Sequence, residues 1–155
     1  FYEKLCRSHG ALLFEDYEEV KGWMDWLMDT LDSMERPKCL CHIDANVDNF
    51  LFFEDGSVKL LDWEYAGMCD PVMDVSMCAI YSYYNEEDME RLFRLYLQRE
   101  PSEDELFALY ANAALGGFLW CLWAVYKSIL GDEFGEYTII MYRYAKKYYR
   151  KLRKL

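Results

Sequence analysis

The sequence predicts a mostly α-helical protein that contains one small β-hairpin. Five stretches carry apolar residues at helical spacing, and strand-like runs are confined to residues 38–62. The chain is 54% hydrophobic and 18% aromatic, which is too apolar for a disordered protein. Its 155 residues are enough to bury one core, so we expect a single domain over residues 1–155.

The first half of the chain predicts a helix followed by short strands. The helix covers residues 15–34 and ends before a proline. Residues 38–41 and 49–53 are then predicted to be strands. Residues 54–57 have the composition of a turn, so that residues 50–62 are predicted to form a hairpin.

Four further helices are predicted after the hairpin, and three of them begin at residues that can cap a helix. They cover residues 71–84 after Asp70, about 86–98 after Asn85, 103–130 with Ser102 and Glu105 as a capping box, and 133–152 after Gly131.

Charge separates the end of the chain from the rest. The net charge is −11, which argues against nucleic-acid binding. We expect the basic last helix to dock on the acidic body of the same molecule, with contact to a membrane or an anion as the alternative. Residues 141–155 hold no acidic residue and seven basic ones: Arg143, Lys146, Lys147, Arg150, Lys151, Arg153 and Lys154.

Targeting signals are not visible in the sequence. Every apolar run is interrupted before eighteen residues, and no basic segment precedes an apolar one as in a secretory signal. The six cysteines show no disulfide spacing. We therefore expect a cytoplasmic protein without a transmembrane segment.

Two polar clusters flank the predicted hairpin. Asp44 and Asn49 precede its first strand, and Asp62 and Glu64 follow its second. Because a tight turn brings the open ends of two strands together, Asn49 and Asp62 are expected at the same end. Such oxygen atoms suit Mg²⁺, and a carboxylate without metal could accept a proton from a hydroxyl group, as phosphoryl transfer requires. The alternative is that these residues only form turns.

The spacing of these residues resembles that of a known family. His42-x-Asp44-x-x-x-x-Asn49, followed by a strand ending in Asp62, resembles the catalytic loop and metal segment of protein-kinase-like phosphotransferases. Residues 60–76, LLDWEYAGMCDPVMDVS, resemble bacterial LicA-type choline kinases and the choline/ethanolamine kinase family. The resemblance implies the C-terminal helical lobe of the protein-kinase-like fold. It also implies a choline kinase that uses ATP and Mg²⁺ or Mn²⁺.

The resemblance implies a role for each residue of the two clusters. Asp44 would be the catalytic base, while Asn49 and Asp62 would hold the metal on the nucleotide phosphates. Glu64 would assist at the metal or at the substrate hydroxyl. Two further residues would brace the catalytic loop: His42 and Asp74.

An aromatic pair marks the long apolar helix. Residues 116–128, GGFLWCLWAVYKS, place Trp120 and Trp123 on one helical face, where aromatic residues usually belong to the core. This segment resembles the one from which choline kinases draw their choline-binding tryptophans, and Tyr65 matches another pocket position. The resemblance therefore implies that these rings contact the trimethylammonium group, which cannot donate hydrogen bonds.

The resemblance extends over residues 15–150, which correspond to only the C-terminal lobe of such a kinase. No glycine-rich phosphate loop or β-rich N-terminal lobe is visible, so that lobe would have to act in cis or in trans. Two hypotheses follow: the catalytic and acceptor-binding lobe of a choline kinase, or an inactive module that binds a quaternary amine or a partner protein. Ethanolamine or another amino alcohol stays open as the acceptor.

Overall fold

A computed structural model describes residues 1–11 and 14–154, so that Leu12, Leu13 and Leu155 lie outside the described residues. The chain divides into two compact units. We call Phe1–Met34 with Ala113–Leu155 the helical unit, and Glu35–Asn112 the hairpin unit. The single domain expected over residues 1–155 stays a prediction.

The described chain is mostly α-helical with four short strands, which confirms the predicted fold class. The helices are α1 (Tyr2–Ser8), α2 (Tyr17–Ser33), α3 (Val72–Tyr81), α4 (Glu86–Leu97), α5 (Glu103–Ile129) and α6 (Tyr137–Leu152). The strands are β1 (Cys39–Cys41), β2 (Phe50–Phe52), β3 (Val58–Leu60) and β4 (Gly67–Cys69).

The strands form two antiparallel pairs within the hairpin unit. β2 pairs with β3, with Phe50 opposite Leu60, which confirms the predicted hairpin. Gly56 closes its turn with a φ of 80°, a conformation that glycine adopts without strain. β1 pairs with β4, and the sequence did not predict β4 because a three-residue strand that begins with glycine has no detectable alternation.

The helix after the hairpin differs from the prediction at both ends. Pro71 is the N-cap residue of α3 in place of the expected Asp70, whose Oδ1 atom accepts a hydrogen bond from Val72 N at 3.0 Å. The helix ends at Tyr81, three residues before the predicted end. Tyr83 lies in the left-handed region with a φ of 55°, which a continuing helix does not allow.

Helices α4 and α5 begin at their predicted caps, whereas α6 does not. Asn85 accepts a hydrogen bond from Asp88 N at the start of α4. Ser102 and Glu105 form the expected capping box before α5, with backbone-to-side-chain distances of 2.9 and 3.2 Å. α6 begins four residues later than predicted, because Gly135, with a φ of 53°, still belongs to the connecting turn.

Each unit buries its own apolar side chains. In the hairpin unit, Ser76 Oγ donates a hydrogen bond to the Leu109 carbonyl at 2.9 Å, which ties α3 to the first part of α5. In the helical unit, a Cβ atom at Gly117 of α5 would lie 2.6 Å from the Met141 carbonyl oxygen of α6, so the two backbones approach closely there. The fully buried side chains include Ile80, Met89 and Phe93 in the hairpin unit and Val20, Leu27 and Tyr148 in the helical unit.

One described helix, α5, is long and apolar enough to cross a membrane if only length and composition are considered. Its apolar window has a mean hydropathy of 1.5, and 67% of that window is buried inside the protein. A core helix of a folded domain has the same properties. The absence of a transmembrane segment therefore stays a prediction.

Candidate active site

The loop that follows β1 is held by the carboxylate of Asp74. Asp74 lies in the first turn of α3, and its two oxygens accept hydrogen bonds from the backbone N–H groups of His42 and Ile43 at 2.9 and 2.7 Å. Ile43 has a φ of 69°, which is a strained conformation for a β-branched residue. Two charge-assisted hydrogen bonds at this point offset such strain.

The His42 side chain connects this loop to the end of the hairpin. It is completely buried, and its Nε2 atom lies 2.6 Å from the Leu61 carbonyl oxygen. Because a carbonyl only accepts hydrogen bonds, Nε2 must carry the proton. The Trp63 ring packs edge-on against the imidazole with ring centroids 4.8 Å apart. These contacts fix the imidazole between the loop and the segment that contains Asp62.

Asp44 and Asn49 are in direct contact. Asn49 Nδ2 donates hydrogen bonds to the Asp44 carbonyl at 3.0 Å and to Asp44 Oδ2 at 3.1 Å. Both residues are half-buried, whereas Asp48 between them is exposed. With its nitrogen on Asp44, the amide of Asn49 keeps its oxygen as an acceptor.

The open end of the β2–β3 hairpin brings Asn49 near the segment after β3. Leu61 N donates a hydrogen bond to the Asn49 carbonyl at 2.8 Å, which extends the strand pairing by one step. Asp62 follows directly, is exposed and has a φ of 60°. Glu64 is exposed and Tyr65 half-buried in the turn after it.

The donor groups at this end of the hairpin fit Mg²⁺ better than an ion that needs a complete protein cage. Within residues 1–11 and 14–154, no group of three or more His, Cys, Asp or Glu side chains could hold a metal ion. Mg²⁺ usually takes one or two carboxylates and completes its shell with phosphates and water. The Asp62 carboxylate and the Asn49 amide oxygen match that pattern.

The aromatic pair lies in the helical unit. The Trp120 and Trp123 rings meet edge to face, with centroids 5.6 Å apart, and Phe134 packs on Trp123 at 5.1 Å. Trp120 is only 4% exposed, while Trp123 is half-buried. Lys127 Nζ lies 5.9 Å from the centroid of the Trp123 ring, so this ring already has a cation near its face.

A family model matches most of this chain. The model of the phosphotransferase enzyme family known as APH matches residues 2–109. The chain belongs to this phosphotransferase family.

Relatives of this phosphotransferase chain include two curated proteins. LicA of Haemophilus influenzae is 27% identical over 135 residues, which cover 83% of this chain and 36% of LicA. Ethanolamine kinase 1 of Mus musculus is 26% identical over 151 residues, which cover 79% of this chain and 42% of that kinase. The chain thus spans less than half the length of these relatives.

Solved structures agree with the sequence relatives. Choline kinase LicA from Streptococcus pneumoniae matches with a TM-score of 0.81 and 28% identity, over 97% of this chain and 52% of that chain. A structure of LicA in complex with AMP matches with a TM-score of 0.79 and 27% identity, over 97% of this chain and 54% of that chain. The fold of this phosphotransferase segment is therefore that of the kinase-like helical lobe.

Sequence reasoning missed several residues that support the phosphotransferase loop. Arg36 forms an ion pair with Asp70 at 2.6 Å, next to the start of α3. Burial raises the pKa of the Cys41 thiol, which stays protonated and lies 3.5 Å from the Cys69 carbonyl as a donor. The packing of Trp63 on His42 was missed as well. Arg36 carries no detectable signal, because only the tertiary fold brings it to Asp70.

Proposed function

We propose that the protein transfers the γ-phosphoryl group of ATP to the hydroxyl of an amino alcohol, with choline preferred, and that this chain is the catalytic lobe. Membership of the phosphotransferase family supports the reaction type. The relatives named choline kinase and ethanolamine kinase support an amino alcohol as the acceptor. ATP is supplied in the cytoplasm, which is the location we expect.

The observation that carries this proposal is the 3.1 Å hydrogen bond from Asn49 Nδ2 to Asp44 Oδ2. It fixes the Asp44 carboxylate and leaves its other oxygen for the proton of the acceptor hydroxyl. As the acceptor oxygen bonds to the γ-phosphorus, that proton passes to Asp44, and the bond to the leaving ADP breaks. Asp74 and His42 keep the loop in place through their contacts with Ile43 and Leu61.

The metal and the nucleotide complete the proposed site. Asn49 Oδ1 and the Asp62 carboxylate would hold Mg²⁺ or Mn²⁺, which would neutralise charge on the phosphates when bound. Glu64 would assist at the metal or at the acceptor hydroxyl. The complex of LicA with AMP supports a nucleotide co-substrate. An N-terminal lobe, in cis or in trans, would cover the phosphates.

Two substitutions test the proposed roles in the full-length protein. Asp62→Ala is expected to abolish Mn²⁺-dependent binding of ATP, because the metal loses its carboxylate ligand. Asp44→Ala is expected to retain ATP binding and to lose phosphorylation of choline by about 100-fold or more, the usual contribution of a general base. Calorimetry measures the first result and a phosphocholine assay the second.

The control is Asp48→Ala, which removes an exposed carboxylate from the same loop. This variant should retain both ATP binding and transfer. If Asp44→Ala and Asp62→Ala lose ATP binding equally, the separation of roles is wrong. If both variants still phosphorylate choline at the wild-type rate, the proposed site is wrong.

Preference for choline would rest on the aromatic residues, and we assign the contact mainly to Trp123. Trp123 is half-buried, and the Lys127 ammonium lies 5.9 Å from its ring centroid, which supports a role of this ring face in cation binding. Trp120, at 4% exposure, would hold the Trp123 ring in place. A role for Tyr65 in acceptor binding stays a prediction.

The choline assignment is tested by kcat/KM for choline and ethanolamine. Trp123→Leu keeps apolar bulk and removes the π-face, so it should reduce kcat/KM for choline about tenfold more than for ethanolamine. Trp120→Leu should reduce both values in parallel through packing. Parallel losses in both variants would show that the two rings are core residues only.

A second candidate function is an inactive module that binds a quaternary amine or a partner protein. The observation in its favour is the aromatic pair itself, because the Lys127 ammonium already lies 5.9 Å from the Trp123 ring centroid. Choline binding that persists without ATP binding or transfer in the full-length protein would favour this candidate.

A further inference from the structure

We propose that α6, together with the adjoining face of α2, forms a docking surface for the phosphate groups of an anionic lipid membrane. This proposal goes beyond the proposed reaction and uses none of its residues. It starts from an uneven charge distribution. α6 and the two residues after it contain no acidic side chain, while the whole chain has a net charge of −11. The exposed cations of this surface, called the basic strip, are Arg143, Lys147, Arg150, Arg153 and Lys154.

Lys146 ties the basic helix to an acidic side chain of the helical unit. Lys146 forms an ion pair with Asp16, and Tyr142 donates a hydrogen bond to the same carboxylate at 2.8 Å. The Lys146 contact lowers the pKa of Asp16, so that carboxylate stays ionised and occupied. Within residues 1–11 and 14–154, Arg143 and Arg150 form no ion pair with an acidic side chain. Their charges are therefore available to an external anion.

Aromatic rings lie directly beneath two cations of the basic strip. Trp23 of α2 stacks on Tyr149 of α6 with centroids 4.6 Å apart, and the Arg150 guanidinium lies 5.7 Å above the Trp23 ring. Arg153 lies 5.2 Å from the centroid of Trp26, which is 38% exposed. Tryptophan and tyrosine rings combined with lysine and arginine favour the interface between a bilayer and water.

A groove next to these rings adds a place for headgroups. It has a volume of about 800 Å³, and its cationic lining includes Arg143, Lys147 and Arg150. Phe14 and Tyr142 also line the groove and stack with centroids 3.9 Å apart. The acidic lining residues are Asp16, which is paired, and the exposed Glu15. Cations around apolar rings match the phosphate and glycerol region of a lipid surface.

A lipid surface fits these features better than a nucleic acid does. The net charge of −11 would repel a long polyanion that had to follow the protein surface beyond α6. A membrane needs to meet only one face, and each lysine or arginine near an anionic bilayer strengthens binding. The 46% exposure of Ile139, one turn before Arg143, adds apolar area to that face.

The test is co-sedimentation of the 155-residue chain with lipid vesicles. Vesicles of equal parts phosphatidylcholine and phosphatidylglycerol should bind the chain, whereas vesicles of phosphatidylcholine alone should not. Binding should weaken as salt rises, since exposed charges are screened. The double variant Arg143→Glu/Arg150→Glu should lower the partition coefficient about tenfold or more.

A matched control makes the same change in net charge outside the basic strip. Lys38→Glu/Arg91→Glu changes the net charge equally at exposed positions of the hairpin unit, and it should bind like wild type. Arg143→Glu/Lys154→Glu leaves the cations over Trp23 and Trp26 in place and should lose binding as the first variant does. Circular dichroism checks that each variant is folded.

Three results would overturn the proposal. The first is no binding of the wild-type chain to anionic vesicles, and the second is an equal loss in the matched control. The third is binding to polyuridylate that depends on Arg143 and Arg150 when vesicles do not bind, because the strip would then recognise RNA.

Discussion

The strands of the hairpin unit and the helices of the helical unit are stabilised in different ways. Strand residues leave large apolar side chains exposed, whereas α5 from Ala113 onwards buries small and apolar ones. The loop after β1 depends instead on a few hydrogen bonds to one carboxylate. The exposed strand residues are Leu40, Leu51, Phe52, Val58 and Met68, and the buried α5 residues are Ala113, Ala114, Cys121, Leu122 and Ala124.

The two units should therefore be destabilised by different kinds of substitution. Removing a hydrogen-bond acceptor should lower the stability of the hairpin unit most, because buried N–H groups without partners cost free energy. Enlarging a side chain between α5 and α6 should lower the stability of the helical unit most, because the two helix backbones already approach closely there.

The largest effect is expected for Asp74→Ala. This substitution leaves the backbone N–H groups of His42 and Ile43 without their acceptor next to a fully buried imidazole. The free energy of unfolding should fall by about 3 kcal/mol, measured by urea denaturation. The control Asp25→Ala removes an exposed carboxylate from α2 and should change stability by less than about 0.5 kcal/mol. Equal values for the two variants would contradict the role of Asp74.

A smaller effect of opposite origin is expected for Gly117→Ala. The new Cβ atom would lie 2.6 Å from the Met141 carbonyl oxygen and 3.1 Å from Ala145 N, so α5 and α6 must move apart. The free energy of unfolding should fall by about 2 kcal/mol, the usual cost of overpacking. A fall of this size would show that backbone contact stabilises the helical unit.

Gly22→Ala in α2 is the matched control for Gly117→Ala. No heavy atom lies within 4 Å of its new Cβ position. Alanine favours the helix over glycine, so this variant should gain about 0.5–1 kcal/mol. If both alanines destabilise the protein, close approach of α5 and α6 does not account for the loss at Gly117.

The sequence predicted those features that depend on neighbouring residues. The hairpin, the capping box and the convergence of Asn49 and the segment of Asp62 follow from turn and strand rules acting over a dozen residues. The close approach at Gly117 depends on residues of α6 that are distant in sequence. The burial of Trp120 could not be predicted either, since core and ligand-contacting aromatics have the same helical spacing.

The smallest effect concerns the capping box at the start of α5, where charge rather than packing contributes. Arg99 donates two hydrogen bonds of 2.7 Å to the Glu105 carboxylate. These bonds are the main reason why the pKa of Glu105 is lowered from 4.5 to about 2. A carboxylate with a lowered pKa in the folded state stabilises the protein above pH 4.5. That contribution is lost as the pH falls from 4.5 towards 2.

Glu105→Gln should therefore cost about 1 kcal/mol at pH 7 and very little at pH 2, as measured by urea denaturation at several pH values. Glu103→Gln, an exposed acid in the same helical turn, is the control and should show no comparable dependence on pH. A constant difference between Glu105→Gln and wild type from pH 7 to pH 2 would show that the ion pair with Arg99 does not stabilise α5. The capping hydrogen bonds with Ser102 would then account for the whole effect, because a neutral glutamine can retain them only in part.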